Sequence, residues 1–224
     1  MRILVLGTPY SGKTSIILNF VKKKKSYYFI DIKNYRSVLK YKSFFYSILN
    51  KIFIFIKNLR IFHILFFFII HLKIKLFFRF ITYFLIQLEL LSKSGSKKFI
   101  IQDEGVFKKL YDSMSLDNSK NYWWLENYKT INSLMLFTIR EYDILLIINV
   151  NQEKIINRIY KRGDLEIKEN KKSFLARHML QQKIYHDFFI RAKTVGKKCI
   201  FLENDKSLHS SVKMLNRHLN NLIL

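Results

Sequence analysis

Eight residues read Gly7-Thr8-Pro9-Tyr10-Ser11-Gly12-Lys13-Thr14. Their types and spacing fit G-x-x-x-x-G-K-[ST], the Walker A pattern of a phosphate-binding loop. Glycine backbones let successive N–H groups turn inward around phosphate oxygens. A helix opening at Thr14 and Ser15 aims the positive end of its dipole at the same anion. Lys13 would reach the β- and γ-phosphates, and the Thr14 hydroxyl would ligate Mg²⁺. The nucleotide-contacting set is therefore Gly7, Thr8, Pro9, Tyr10, Ser11, Gly12, Lys13, Thr14 and Ser15.

A second group is Asp103-Glu104-Gly105, which ends the apolar run Phe99-Ile100-Ile101-Gln102. Acids at the end of a strand suit the second side of a Mg²⁺ site. Asp103 would hold the metal through water, and Asp103 or Glu104 would take the proton of an attacking hydroxyl. The plainer role for Asp103 is to cap the next helix. A third group is Arg158 and Arg162, four residues apart in Asn157–Asp164, followed by a polar segment to Lys172. Arginines on a flap would close over transferring phosphates and exclude water. The competing reading is a solvated basic stripe on an amphipathic helix.

Other residues carry weaker signals. Asp31 ends an apolar run and would contact an acceptor or cap a loop. Arg36 is an anion contact or a solvated surface residue. His63 and His71 lack metal-ligand spacing. Trp123 and Trp124 suit packing better than base stacking. Cys199 lies in an apolar run and is expected to be inert.

Five short runs could position these groups as strands: Arg2–Leu6, Ser26–Ile32, Lys98–Gln102, Asp143–Val150 and Lys198–Leu202. Segments between them carry helical periodicity. Phe174, Leu175, Met179, Leu180, Ile184, Phe188, Phe189 and Ala192 mark one face. Ile155, Ile156 and Ile159 mark another, opposite Lys154, Arg158 and Arg162. Apolar strands alternating with helices imply a parallel sheet covered on both sides.

Composition narrows the classes. The chain has 224 residues, of which half are hydrophobic, enough for a real core and too apolar for global disorder. Six glycines and one proline argue against a turn-rich all-β fold. One cysteine excludes an intramolecular disulfide and a Cys-rich metal site. The apolar run at Met1–Gly7 is too short for a signal-peptide core, so a reducing, cytoplasmic location is the default. The net charge of +24 admits nucleic acid, anionic membrane and phosphorylated substrates as partners.

Residues 40–91 combine aromatic and basic residues. The longest stretch there without a charged side chain is Ile61–Leu72. As a helix it would measure about 18 Å, short of a bilayer core of about 30 Å. A single span would also part the phosphate loop from Asp103. Two or three helices packed on the domain are expected instead, with a basic face that would touch an anionic membrane.

The layout resembles the P-loop small-molecule kinases, the nucleoside-monophosphate kinase group, and thymidylate kinases most of all. The likeness rests on GTPYSGKT at 7–14, the acidic end of the third strand at 103–105, and INVNQEKIINRIYKRGD at 148–164. The helix beginning near Phe174 also resembles the one that follows the lid in those enzymes. The resemblance implies an α/β three-layer sandwich with a five-stranded parallel sheet of order 2-3-1-4-5. It implies ATP–Mg²⁺ as donor and lid arginines in the roles of Arg158 and Arg162. The chain departs from thymidylate kinases in two places. Its third strand ends in Asp-Glu-Gly rather than Asp-Arg-aromatic, and the segment after strand two lacks the Pro-Arg signature.

A signalling GTPase would carry Asp-x-x-Gly and Asn-Lys-x-Asp, and an ABC-type ATPase Leu-Ser-Gly-Gly-Gln; none occurs with the needed spacing. The expectation is one P-loop kinase-like domain over 1–224, with a helical insertion over 35–94. It would move the γ-phosphoryl of ATP to a small-molecule, nucleotide or glycan-type acceptor. The alternative is a P-loop ATPase working at a membrane surface or on nucleic acid.

Overall fold

The structure is a computed structural model. It describes residues 1–24, 26–30, 99–103, 136, 139–140, 142–163 and 171–223. The chain divides into two units, one of Met1–Phe29, Lys97–Glu104 and Tyr128–Leu224, the other of Ile30–Ser96 and Gly105–Asn127. The expected 35–94 insertion, Asp31, Arg36, His63, His71, Glu104, Trp123 and Trp124 all lie outside the described residues.

Five strands form one sheet: β1 (Arg2–Gly7), β2 (Tyr27–Ile30), β3 (Phe99–Asp103), β4 (Ile144–Asn149) and β5 (Lys198–Glu203). Their order is β2-β3-β1-β4-β5. β1 pairs in parallel with β3 and β4, and β4 in parallel with β5. All five expected strands are present, shifted by up to two residues at their ends, and the order is the one that the resemblance implies. The runs read clearly because strands buried on both faces are apolar at nearly every position, as Ile3–Leu6 and Ile144–Ile148 are.

Among the described residues, four helices accompany the strands: α1 (Lys13–Lys23), α2 (Gln152–Arg162), α3 (Lys171–Thr194) and α4 (Leu208–Ile223). α1 and α4 pack together on one face of the sheet, while α3 lies along β4, β5 and β1. Alternate strand residues Ile3, Val5, Ile144, Leu146, Ile148, Ile200 and Leu202 form a core with Ile16, Ile17 and Phe20 of α1 and Val212, Leu215 and Leu219 of α4. The alternation is the period of two that sends successive side chains to opposite faces.

One helical face differs from expectation. On α3, Ile184, Phe188 and Ala192 are buried as predicted, but Met179 and Leu180 are exposed. Their places toward the sheet are taken by His178, Gln181 and Tyr185. These three share the inward face at the helical spacing of three and four residues. Among the described residues, no helix is long and apolar enough to cross a membrane.

Candidate functional site

The loop of residues 8–12 leaves the C-terminal end of β1 and enters α1. Its backbone is tightly specified. The Ser11 N–H donates to the Thr8 carbonyl at 3.1 Å, closing a turn. Gly12 has φ 78°, a left-handed conformation that costs a side-chain-bearing residue steric energy. A Cβ at Gly12 would also lie 2.6 Å from Asn204 Nδ2. A Cβ at Gly7 would lie 2.8 Å from Ser11 Oγ and 2.9 Å from the Ile148 carbonyl oxygen. Gly7 is therefore required by close approach, and Gly12 by close approach and by conformation.

Gly12 is also the N-cap of α1, and no side chain caps that terminus. The helix's first N–H groups are thus left to whatever binds at the loop. The hydroxyls of Thr8 and Ser11 are buried and have no hydrogen-bond partner among the described residues. Pro9, Thr14 and Ser15 are exposed. Convergent helix N–H groups, two buried hydroxyls and tight glycine positions make a donor set that fits the phosphates of a nucleotide.

Lys13 and Asp103 meet. The Lys13 side chain, although only 8% of Lys13 is exposed, reaches Asp103 Oδ1 at 2.6 Å. Parallel pairing of β1 with β3 sets Val5 beside Asp103, so the acid stands next to the strand that feeds the loop. The pair compensates two charges that would otherwise be expensive to bury. Among the described residues, no three His, Cys, Asp or Glu side chains stand close enough to form a metal cluster. Mg²⁺ is commonly held by one or two protein groups plus phosphate oxygens and water. Thr14 and Asp103 are the groups that would serve.

Both arginines of α2 meet the loop, at different points. Asn151 caps this helix, accepting from the Lys154 N–H at 2.9 Å, and Gly163 ends it at φ 72°. Ile155 and Ile159 are buried on its apolar side with Val150, against which Tyr10 and Phe174 pack. Arg158 Nη1 donates to the Tyr10 carbonyl at 2.7 Å, and Nη2 to the Asn204 carbonyl at 3.2 Å. It is half-buried, not part of a solvated stripe. Burial pushes its pKa down, Asp205 opposes that shift, and Arg162 reinforces it. Arg162 is exposed, and its guanidinium lies over the Tyr10 ring, 5.1 Å from the centroid. Phe174 of α3 meets the same ring edge-on at 5.8 Å.

Tyr10 itself has φ 62°, the one positive value at a non-glycine among the described residues. Such a conformation persists where its surroundings over-determine it. Here a carbonyl contact, a stacked guanidinium and a perpendicular ring all act on one residue.

Sequence reasoning missed Asn204. It lies just past β5 and is buried, with 3% exposure. Its Nδ2 donates to the Ser11 carbonyl, and its Oδ1 accepts from Ser211 Oγ at 2.7 Å. Its own N–H donates to the Asn149 carbonyl at 2.8 Å, anchoring it to β4. The signal that could have found it is faint: one amide side chain where the fifth strand reaches the loop end of the sheet.

No family model matches the sequence, and neither does any curated protein. Solved structures do match. Deoxyadenosine kinase from M. mycoides with bound dATP aligns over 98% of this chain and 100% of its own, at TM-score 0.56 and 17% identity. Thymidylate kinase from Candida albicans aligns over 98% of this chain and 91% of its own, at TM-score 0.56 and 12% identity. At these identities the likeness is one of architecture, and the fold of this chain is that of the P-loop kinases.

Proposed function

We propose that the chain is an ATP-dependent phosphotransferase whose acceptor is a nucleoside or nucleotide. The observation that carries the proposal is the convergence of Lys13, Asp103, Arg158 and Arg162 on one phosphate-shaped loop. Three features support transfer over hydrolysis: the resemblance in motif, the likeness in fold to deoxyadenosine and thymidylate kinases, and two arginines held at the loop. The kinases that share this fold, a deoxyadenosine kinase and a thymidylate kinase, favour a nucleoside-type acceptor over the glycan-type one.

In this reading the loop N–H groups and Lys13 hold and orient the β- and γ-phosphates. The acceptor oxygen forms a bond to the γ-phosphorus as the bond to the bridging oxygen breaks, and ADP leaves. Mg²⁺, held by Thr14 and Asp103 together with the nucleotide, would neutralise charge on the phosphate oxygens. The acceptor proton passes to the Asp103–Glu104 pair. Arg162, exposed at the loop, would move onto the transferring group, and charge developing there would be met by preorganised cations. Lys13, paired with Asp103 at 2.6 Å, would turn toward the phosphates as the nucleotide binds.

The test is ATP turnover with Mg²⁺, with and without panels of deoxynucleosides and nucleoside monophosphates. ADP formation that depends on one acceptor, matched by phosphorylated product, is the expected result. Equal ADP and free phosphate with every panel member would overturn the proposal in favour of a hydrolytic ATPase. Lys13→Ala is expected to lower turnover at least tenfold while circular dichroism stays native. A folded Lys13→Ala protein with wild-type turnover would remove the site assignment.

A further inference from the structure

We infer that Asn204 is a positioning residue for nucleotide binding: it sets the orientation of the Ser11–Gly12 peptide so that the Gly12 N–H faces the phosphate. This inference deepens the kinase proposal and rests on its assignment of the loop as the phosphate site.

The geometry begins with the peptide plane. In a trans peptide the C=O and the following N–H point in opposite directions. Asn204 Nδ2 takes hold of the Ser11 carbonyl. Holding that oxygen on the outer side of the loop holds the Gly12 N–H on the inner side. The amide orientation is forced by chemistry, because only the NH₂ end can donate to a carbonyl and the oxygen end accepts from Ser211 Oγ. The Ser11 N–H cannot replace the Gly12 donor, since it is committed to the Thr8 carbonyl.

The brace is itself rigid. Asn204 is fixed by its N–H to the Asn149 carbonyl, by Ser211 at the start of α4, and by Arg158 on its carbonyl. Arg158 holds the neighbouring Tyr10 carbonyl as well. Two consecutive loop carbonyls are therefore held by two side chains, and one of these, Arg158, also donates to the backbone carbonyl of Asn204. β4, β5, α2 and α4 all supply part of this frame. The close approach of Asn204 Nδ2 also explains the second demand on Gly12, where a methyl group would strike the amide. A loop whose donors are held in place before binding spends less of its interaction on reordering.

The experiment compares MgATP affinity by calorimetry, and the KM and kcat of turnover, in the full chain. Asn204→Asp keeps size and the acceptor for Ser211 but replaces the donor with a second acceptor facing a carbonyl. It is expected to raise the Kd and KM for ATP at least tenfold, with kcat at saturation within about threefold of wild type. Ser211→Ala, which frees the amide to rotate, is expected to raise Kd about threefold in the same direction. Wild-type affinity in a folded Asn204→Asp protein would overturn the inference. Should Asn204→Asp fail to fold, Ser211→Ala decides, and unchanged affinity there overturns it equally. A merely structural role predicts lower melting temperatures with no change in Kd, which also counts against it. The parent reading fails separately, and visibly, if the wild-type chain binds no ATP.

Discussion

The two faces of the sheet are packed with different chemistry. The face under α1 and α4 is apolar over most of its extent: Ile3, Val5, Leu146, Ile148 and Leu202 meet Ile16, Phe20, Leu215 and Leu219. Its buried polar groups are Ser211 and Asn204, bonded to each other beside the loop. The face under α3 is apolar at one end and polar at the other. Ile184, Phe188 and Ala192 fill the part farther along the helix, and Phe189 meets Phe201 edge-on at 5.5 Å. Toward the phosphate loop, the buried side chains are His178, Gln181 and Tyr185, with Gln102 of β3 also buried and polar. Gln181 donates to the Tyr185 hydroxyl at 2.8 Å, Gln182 to Asn149 Oδ1 at 2.7 Å, and the Tyr142 hydroxyl to Gln102 Oε1 at 2.6 Å. One face holds the sheet together, and the other places polar groups beneath the end of the sheet where the chemistry is proposed. Buried polar groups stabilise only when their partners are present, so the second face is the more sensitive to its surroundings.

Four measurements break or sharpen that contrast. The largest effect is expected on the apolar face. Phe20→Ala removes a fully buried ring that meets Tyr27 edge-on at 4.8 Å. It should cost about 3–5 kcal/mol in urea unfolding, with ATP affinity unchanged in the folded fraction. A loss below about 1 kcal/mol would mean that this face is not the main core.

The second is the acid response of the polar face. His178 is 2% exposed, neither ring nitrogen has a partner among the described residues, and burial pushes its pKa down to about 4. Between pH 6.5 and 4 the unfolded chain binds a proton there that the folded chain does not. Stability is therefore lost as pH falls through that window, by about 3 kcal/mol at most, and levels off below it. Melting curves from pH 7.5 to 4 should show the slope in the wild type and a flatter one in His178→Phe. Equal slopes would place the acid sensitivity elsewhere.

The third is a double-mutant cycle on Tyr142 and Gln102. Tyr142→Phe and Gln102→Met each remove the hydrogen bond from the Tyr142 hydroxyl to Gln102 Oε1. Each should cost about 1–2 kcal/mol, and the double variant less than their sum. Strict additivity would show that this hydrogen bond does not couple them. The smallest effect is at Cys199, where burial pushes the thiol up to about 11 against the opposing charges of Lys193 and Lys197. Native protein should react with a disulfide reagent far more slowly than urea-unfolded protein, and equal rates would contradict this placement.

The same contrast explains what the amino-acid sequence made legible. Strands buried on both faces announce themselves as apolar runs, so all five could be located, and the Walker A spacing marked the loop. Asp103 could be assigned to the same site as the loop because each ends an apolar strand, whereas its ion pair with Lys13 is seen only in the structure. The α3 face was harder, because apolar Met179 and Leu180 face outward while His178 and Gln181 face in. Hydropathy assigns faces by apolar content, and this helix end is buried through polar contacts. Asn204 was harder still: its partner Ser11 lies 193 residues away, and nothing local distinguishes it from a loop asparagine. Spacing and the family resemblance together mark Arg158 as a lid arginine; in the structure its Nη1 and Nη2 donate to backbone carbonyls.

The strand order carries a cost during synthesis. β1 occupies the middle of the sheet, yet its Ile3 pairs with Ile101 on one side and Ile144 on the other. An apolar strand made early must wait for neighbours made much later. At about 5–20 residues per second, translation from the first strand to the fourth takes about 7–30 s. For that interval at least one edge of the segment RILVLG is unpaired on the nascent chain, an exposed edge of the kind that aggregation exploits. Chaperone supply while the ribosome is still working should therefore govern the yield of folded protein more strongly than any substitution at the phosphate loop.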